Sequence, residues 1–212
     1  MTALTKLRMN VDEFLAWAVD QPGRYELFRG EVYAMSPETA GHADTKAAVY
    51  NALLAGIRAR HLSCHVFPDG MTVRIDETTA YEPDALVYCG EKLSPSAIEV
   101  PEPVIVVEVL FPSSRQVDLA IKLAGYFLLP SLAHYLIVDP TRSLILHHSR
   151  SGDAISPASS PRVRSPSTRR GWNWPWRTSR PAELSEIACR AGARRAQAEK
   201  ICENFTVPCG RS

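Results

Sequence analysis

The chain has 212 residues, of which 45% are hydrophobic and 22% are charged, and its formal net charge is +1. This balance is typical of a folded domain that buries its own core, and no apolar run approaches the roughly 20 residues of a membrane-spanning helix, so a transmembrane protein is excluded. Five cysteines without a CxxC pair predict reduced thiols. The N-terminal residues lack the apolar segment of a signal peptide, so we expect a cytoplasmic protein.

Charge is distributed unevenly along the chain. Residues 1–150 contain 13 basic and 18 acidic residues, a balance of −5, whereas residues 151–212 contain 11 basic and 5 acidic residues, a balance of +6. The composition therefore predicts a domain over residues 1–155 and a basic tail, rich in Arg, Ser, Pro and Trp, over residues 156–212. Such a tail is typical of a nucleic-acid-binding arm, a disordered linker or a segment that was never selected to fold.

Hydrophobic periodicity predicts three helices and a series of short strands within the domain. In chain order, we predict a helix over residues 11–20, a hairpin over 25–35, a helix over 41–60, strands over 65–67, 72–75 and 85–88, a buried strand over 104–111, a helix over 115–129, and strands over 134–140 and 143–149. Asn10 and Ser113 are suited to cap two of the helices. This order predicts an α/β (α+β) fold with a central mixed sheet flanked by helices.

Two acidic residues stand out from this pattern. Glu108 lies between Val107 and Val109 in an apolar strand, where an ionised carboxylate costs on the order of several kcal/mol unless a partner or a metal compensates. An exposed strand end or a structural ion pair would be the simpler explanation. Asp84 follows Pro83 at the start of the preceding strand and, alone, would more often be a turn residue. Together, two carboxylates at one end of a sheet would form the oxygen site that Mg²⁺ or Mn²⁺ prefers.

Lys122 lies on the helix that follows the Glu108 strand, four residues after Asp118. An Asp–Lys pair at this spacing is usually only a modest surface ion pair. Because a short turn joins the strand to this helix, however, the first turns of the helix must lie near Glu108. Lys122 is therefore a candidate partner of the two carboxylates.

These residues resemble the Uma-type restriction endonuclease family, a branch of the PD-(D/E)XK nuclease superfamily, over about residues 9–150. The resemblance depends on Pro83-Asp84, Glu108 in a Val-rich strand, Pro112-Ser113, Asp118 with Lys122 and Tyr126, and Val138-Asp139-Pro140. It implies a restriction-endonuclease-like core. The usual superfamily pattern has a lysine two residues after the glutamate, a position that Leu110 occupies here, so Lys122 is the candidate for a migrated catalytic lysine.

The resemblance also implies a DNA endonuclease that uses Mg²⁺ or Mn²⁺ to hydrolyse phosphodiester bonds. Asp84 and Glu108 would bind the metal, and Lys122 would orient a water molecule or stabilise transition-state charge. Glu31, or as second choice Glu26, would add a carboxylate from the N-terminal hairpin, although either could equally be an exposed strand residue. Supporting roles are expected for His42, Ser113, Asp118 and Tyr126.

A catalytically inactive module of the same fold, which binds nucleic acid or only assembles as an oligomer, is the alternative. A body with a charge of −5 and no basic stripe is poorly suited to tight duplex binding, because affinity for duplex DNA comes largely from phosphate neutralisation. This charge favours a weak, metal-assisted contact with DNA or a homodimer that pools its basic residues.

The DNA that encodes the tail can be translated in a second reading frame. Residues 171–176, Gly-Trp-Asn-Trp-Pro-Trp, must be encoded by GGN TGG AAY TGG CCN TGG, because Trp has one codon. From the third base this reads NTG GAA YTG GCC NTG, or Leu/Met/Val-Glu-Leu-Ala-Leu/Met/Val, an amphipathic stretch that resembles the closing segment of the family. We hypothesise that the chain is out of frame from about Pro157, so that the basic tail is not an evolved DNA-binding arm and the domain lacks native C-terminal packing.

Sequencing the coding DNA around codons 150–170 tests this hypothesis, and we expect a one-base or two-base insertion or deletion there. A verified reading frame, together with close relatives that carry the same Trp-rich tail, would contradict it.

Overall fold

The structure is a computed structural model that describes residues 8–111, 116–152, 154–159 and 187. The helices are α1 (Val11–Ala18), α2 (Ala40–Ala59) and α3 (Gln116–Tyr126). The strands are β1 (Tyr25–Phe28), β2 (Glu31–Ala34), β3 (His65–Pro68), β4 (Val73–Asp76), β5 (Thr79–Tyr81), β6 (Ala85–Tyr88), β7 (Pro103–Val109), β8 (His134–Asp139), β9 (Leu144–Ser151) and β10 (Ala154–Ser159). None of the described helices is both long enough and apolar enough to cross a membrane.

A six-stranded sheet with the order β10-β9-β8-β7-β6-β3 forms the centre of the fold. Only β7 and β8 are parallel, and the other neighbouring pairs are antiparallel. All seven residues of β7 are buried, as expected for an apolar strand in the middle of a sheet. The predicted central mixed sheet flanked by helices is confirmed.

The two faces of this sheet pack into separate cores. On one face, α2 packs through Val49, Leu53 and Ile57 against inward residues of the sheet such as Val107 and Leu136. The other core contains residues from α3 and the turn that follows it, including Tyr126, Phe127 and Leu132, together with Leu86, Val106 and Tyr135 of the sheet. Because side chains alternate along a strand, the neighbours Val106 and Val107 of β7 enter different cores.

A smaller four-stranded sheet, β2-β1-β5-β4, was not anticipated as a separate unit. Helix α1 packs on it through Val11 and Phe14, and its N-terminus has the predicted Asn10 cap, completed by Glu13 as a capping box. The β1–β2 turn has positive φ at Arg29 (51°) and Gly30 (80°), as a two-residue type I′ hairpin requires.

Two strands and some boundaries differ from the sequence-based prediction. Strand β5 is only three residues long, and β10 contains Pro157 on an edge strand, so neither has a strong periodic signal. The observed β10 ends at Ser159, four residues past the predicted domain boundary. One residue of the tail, Ile187, is described, and it is buried in the core beneath α2. The rest of the proposed out-of-frame segment beyond Ser159 lies outside the described residues.

The expectation of reduced cysteines is wrong for Cys64 and Cys89, which form a disulfide. The two residues flank the pairing of β3 with β6, in which His65 lies opposite Tyr88, so they face each other across the ladder with a Cα–Cα distance of 4.0 Å. They are 25 residues apart in sequence, and that spacing gives no sign of their pairing. The cysteines at positions 189, 202 and 209 lie outside the described residues.

Arg150, on β9, binds the chain at the C-terminal end of α3. Its Nη2 donates to the carbonyl oxygens of Phe127 (2.7 Å) and Leu129 (3.0 Å), and its Nε donates to that of Leu132 (2.9 Å). Carbonyls at a helix C-terminus lack intrahelical partners and carry partial negative charge, so a guanidinium is well suited to this position. Arg150 therefore fixes the turn after α3 to the central sheet.

Replacing Arg150 with Met should lower the free energy of unfolding by about 1–3 kcal/mol, because several carbonyls lose a charged donor. Arg142→Met is the matched control, since the Arg142 side chain, on the preceding turn, is 75% exposed. Urea denaturation of both variants measures the difference. Equal stabilities would contradict the assigned role of Arg150.

Candidate active site

Glu108, the acidic residue within the apolar strand β7, lies on the face of β7 that packs against α3. It shares this face with Val106, while Val107 and Val109 face α2. Helix α3 returns over the sheet directly after β7, and Lys122 and Tyr126, four residues apart, lie on the same side of that helix. Glu108 and Lys122 therefore lie close together, as the sequence predicts, and both residues are buried.

The Glu108 carboxylate is bonded from two sides. Lys122 Nζ lies 3.2 Å from Glu108 Oε1, and the Tyr126 hydroxyl donates to the same oxygen at 3.0 Å. These contacts supply the charge and the hydrogen bond that a buried carboxylate needs. Tyr126 thus lies beside Glu108, as its predicted supporting role requires.

The hairpin carboxylate that contacts Lys122 is that of Glu26, the second choice of the sequence analysis, and not that of Glu31. Glu26 Oε1 lies 2.8 Å from Lys122 Nζ and accepts a hydrogen bond from the backbone N–H of Glu82 (3.0 Å). Glu31 instead lies near Arg8 and accepts from the Tyr33 hydroxyl (2.9 Å). The reason is topological: β1 is an inner strand beside β5, which leads to the central sheet, whereas β2 is an edge strand.

Asp84 lies at the start of β6, and the backbone of the neighbouring strand holds it in place. The Val109 N–H donates to Asp84 Oδ2 at 2.7 Å, and His42 Nε2 bonds to the Val109 carbonyl oxygen at 2.9 Å. His42 Nε2 also lies 3.9 Å from Asp84 Oδ2, while its Nδ1 lies 2.7 Å from Glu38. His42, near the start of α2, is therefore part of the surroundings of Asp84, and its supporting role stays a prediction.

Two of the predicted supporting residues have no described side chain. Ser113 lies outside the described residues, and Asp118 belongs to α3, whose first turn is described only as backbone.

Lys46, on α2, was missed by the sequence analysis. Its Nζ lies 2.5 Å from Glu38, 2.5 Å from Asp69 and 3.8 Å from Asp84 Oδ1. Burial alone would lower the pKa of Lys46, but its hydrogen bonds to Asp69 and Glu38 raise it above its ordinary value. The sequence signal that points to Lys46 is its spacing of four residues from His42, which places both residues on one side of α2.

An ion-pair network connects Lys46 to the hairpin. Asp69 also binds Arg24, and the Arg24 guanidinium contacts Glu82, which stands two residues before Asp84. Glu26 lies on β1 and Arg24 directly precedes that strand, so the small sheet and its approach contribute two residues to this region. The site is therefore assembled from both sheets and two helices.

The electrostatics of the cluster are dominated by buried negative charge. Burial raises the pKa of Glu108 to about 8, and the nearby Asp84 and Glu26 carboxylates add to the increase against the opposing effect of Lys122. Burial also raises the pKa of Asp84. The pKa of Lys122 lies well above its ordinary value because the Glu108 and Glu26 carboxylates outweigh the effect of burial, so Lys122 stays charged at neutral pH.

The donor set of this cluster fits a hard divalent cation. Glu26, Asp84 and Glu108 offer carboxylate oxygens, the ligand type that Mg²⁺ and Mn²⁺ prefer. Among the described residues, no group of three or more such side chains is already arranged in metal-ligand geometry. A cation would therefore have to draw the carboxylates together against their present contacts.

Comparison with known proteins agrees with this fold. Residues 11–174 match the sequence profile of the Uma2 family, described as "putative restriction endonuclease", and the chain belongs to this family. The uncharacterized protein slr1290 of Synechocystis is 30% identical over 152 residues, which cover 69% of this chain and 77% of that protein.

A solved structure from Anabaena variabilis, described as "a putative nuclease belonging to DUF820", superposes with a TM-score of 0.57. It is 13% identical, and the match covers 86% of this chain and 98% of that chain. Family and fold together support a nuclease in general, an enzyme class that hydrolyses phosphodiester bonds.

Glu108→Gln should stabilise the protein at pH 8 when divalent metal is removed with EDTA. The ordinary pKa of a glutamate, 4.5, applies to the unfolded chain, whereas folding raises the pKa of Glu108 to about 8. The folded state therefore holds more protons between these values, and the wild-type free energy of unfolding falls as pH rises through this window. Gln keeps the acceptor for Tyr126 and does not titrate.

Urea denaturation at pH 5 and pH 8 measures this effect, which should be on the order of a few kcal/mol. The exposed Glu91→Gln is the matched control. A Glu108→Gln variant with the pH dependence of the wild type would refute the expectation.

Proposed function

We propose that this chain is a divalent-metal-dependent endonuclease that hydrolyses phosphodiester bonds of DNA, acting as a homodimer. The observation that carries the proposal is the buried cluster in which Lys122 lies between Glu108 and Glu26, with Asp84 on the adjoining strand. A structural ion pair would need one carboxylate for one lysine. The additional carboxylates support a site in which a cation replaces the proton that the raised pKa of Glu108 retains near neutral pH.

Asp84 and Glu108 are the residues that would hold Mg²⁺ or Mn²⁺, which supplies Lewis acidity toward the phosphate and lowers the pKa of water. The Val109 N–H engages Asp84 Oδ2 and so fixes the orientation of that carboxylate. Tyr126 fixes Glu108 in the same way. Before a cation binds, both carboxylates are therefore held by groups that take no part in the reaction.

Lys122 acts in this proposal as a donor and a positive charge, not as a base. Its raised pKa means that the ammonium keeps its proton at neutral pH, so it has no lone pair with which to accept one. An ammonium between Glu26 and Glu108 can donate a hydrogen bond to an attacking water or stabilise negative charge that develops on the phosphate. Glu26 serves as its second anchor.

The catalytically inactive module is the second candidate, and the absence of a preassembled group of three metal ligands among the described residues favours it. Metal binding without cleavage would distinguish this candidate from the nuclease.

Asp84→Asn and Glu108→Gln should each abolish binding of Mn²⁺ and nicking of supercoiled plasmid DNA, because each removes a metal-binding charge. Lys122→Met should retain Mn²⁺ binding and lose about 10²-fold or more in nicking rate. Calorimetric titration and plasmid nicking measure the two properties separately. Lys92→Met, at an exposed lysine, is the matched control.

Nicking by Glu108→Gln at the wild-type rate would end this assignment. Binding of Mn²⁺ by the wild type with no nicking under any condition would leave the inactive module as the function.

A further inference from the structure

A cleft of about 280 Å³ opens beside Asp84, between α2 and the end of β3. The residues that line it are Glu38, Ala43, Lys46, Ala47, Tyr50, Asn51, Pro68, Asp69 and Asp84. Lys46 and Asp84 are buried and lie at its inner end, whereas Ala43, Ala47 and Asn51 are exposed at its mouth. Since Asp84 belongs to the cleft and to the carboxylate cluster, the two sites are continuous.

The α2 wall of the cleft is suited to a flat ring. Ala43, Ala47 and Tyr50 are spaced by four and three residues, so they lie along one side of the helix. The two alanines leave open space next to the tyrosine ring, and no other aromatic ring stacks on Tyr50 in the part of the chain that the structure describes. Asn51, the next residue, adds an amide that can both donate and accept hydrogen bonds.

The inner end of the cleft carries the Lys46 ammonium among the carboxylates of Glu38, Asp69 and Asp84, so a phosphate would be accepted there together with the divalent cation of the proposed function. Lys46 has a side chain only 9% exposed, and Glu38 and Asp69 hold its ammonium 3.8 Å from Asp84 Oδ1. A ligand that enters the cleft therefore meets an aromatic ring and an amide near the mouth and an ammonium beside a candidate metal ligand at the inner end.

We propose that this cleft binds one unpaired nucleotide next to the scissile phosphate, with its base against Tyr50 and Asn51 and its phosphate toward Lys46 and Asp84. This inference rests on the proposed nuclease function and narrows its substrate class to single-stranded DNA or single-stranded segments within a duplex. In a continuous duplex, neighbouring bases cover both faces of each base, so an aromatic side chain can stack only on a base that has left the helix. The volume of the cleft, about 280 Å³, is also slightly smaller than that of sites for drug-sized ligands, which favours a single nucleotide as the occupant.

Cleavage of one fluorescent 30-nucleotide DNA, single-stranded or annealed to its complement, tests the proposal with Mn²⁺ present. We expect the single strand to be cleaved with a kcat/KM at least about 10-fold above that of the duplex. Tyr50→Leu should lower the single-strand kcat/KM about 10-fold, mainly through KM, because it removes one stacking contact. Tyr50→Phe keeps the ring and should retain the wild-type value.

Tyr33→Leu is the matched control, because Tyr33 is an exposed tyrosine that does not line the cleft, and it should change neither rate. Thermal unfolding of each variant shows whether the fold is intact. Equal rates on the two substrates, or a folded Tyr50→Leu variant with unchanged kcat/KM, would overturn this inference and leave the nuclease function standing.

If the wild type cleaves neither DNA, the proposed function fails and the cleft is tested by binding alone. The probe is then a single-stranded DNA that contains 2-aminopurine, whose fluorescence is quenched by stacking. Quenching by the wild type and not by Tyr50→Leu would support the cleft as a nucleotide site, and equal or absent quenching would refute it.

Discussion

The burial of Glu108 in the central strand is the constraint on which the rest of this site depends. A carboxylate inside an apolar strand is stable only with a positive charge and hydrogen bonds at hand, and α3 supplies both through Lys122 and Tyr126. The lysine then binds Glu26, which ties the small sheet to the central sheet. The position of α3 and the contact between the two sheets are thus coupled to one buried charge.

The site contains more negative charge than a purely structural network needs. Glu26 and Glu108 share the charge of Lys122, while Lys46 contacts Asp84 and two further carboxylates, Glu38 and Asp69. Such a cluster repels an anionic substrate by itself, and a divalent cation would reverse the sign of this interaction. This charge balance therefore agrees with the proposed metal-dependent reaction on a phosphate.

Asp84 joins two regions with different chemistry. On one side lies the carboxylate cluster with Lys122, and on the other lies the cleft with Lys46 and the Tyr50 ring. The backbone of Val109 fixes Asp84 and His42 together, so the end of β7 and the start of α2 are held in one arrangement. A substrate that reaches Asp84 would thus contact groups from α2 and the sheet at the same time.

Local signals in the sequence are enough to predict the class of fold and three residues of the candidate site. An acidic residue in an apolar strand, an aspartate at the start of the preceding strand and a lysine on the next helix are local signals, and so are the Asn10 cap and the helical spacing of α2. The contact of Lys122 with Glu26 and not Glu31 depends on long-range packing, because both glutamates have the same local pattern and the contact spans 96 residues. The same holds for Cys64 with Cys89, for Lys46 with Asp84 and for β10, since their partners are set by strand register and packing, which no short stretch of sequence encodes.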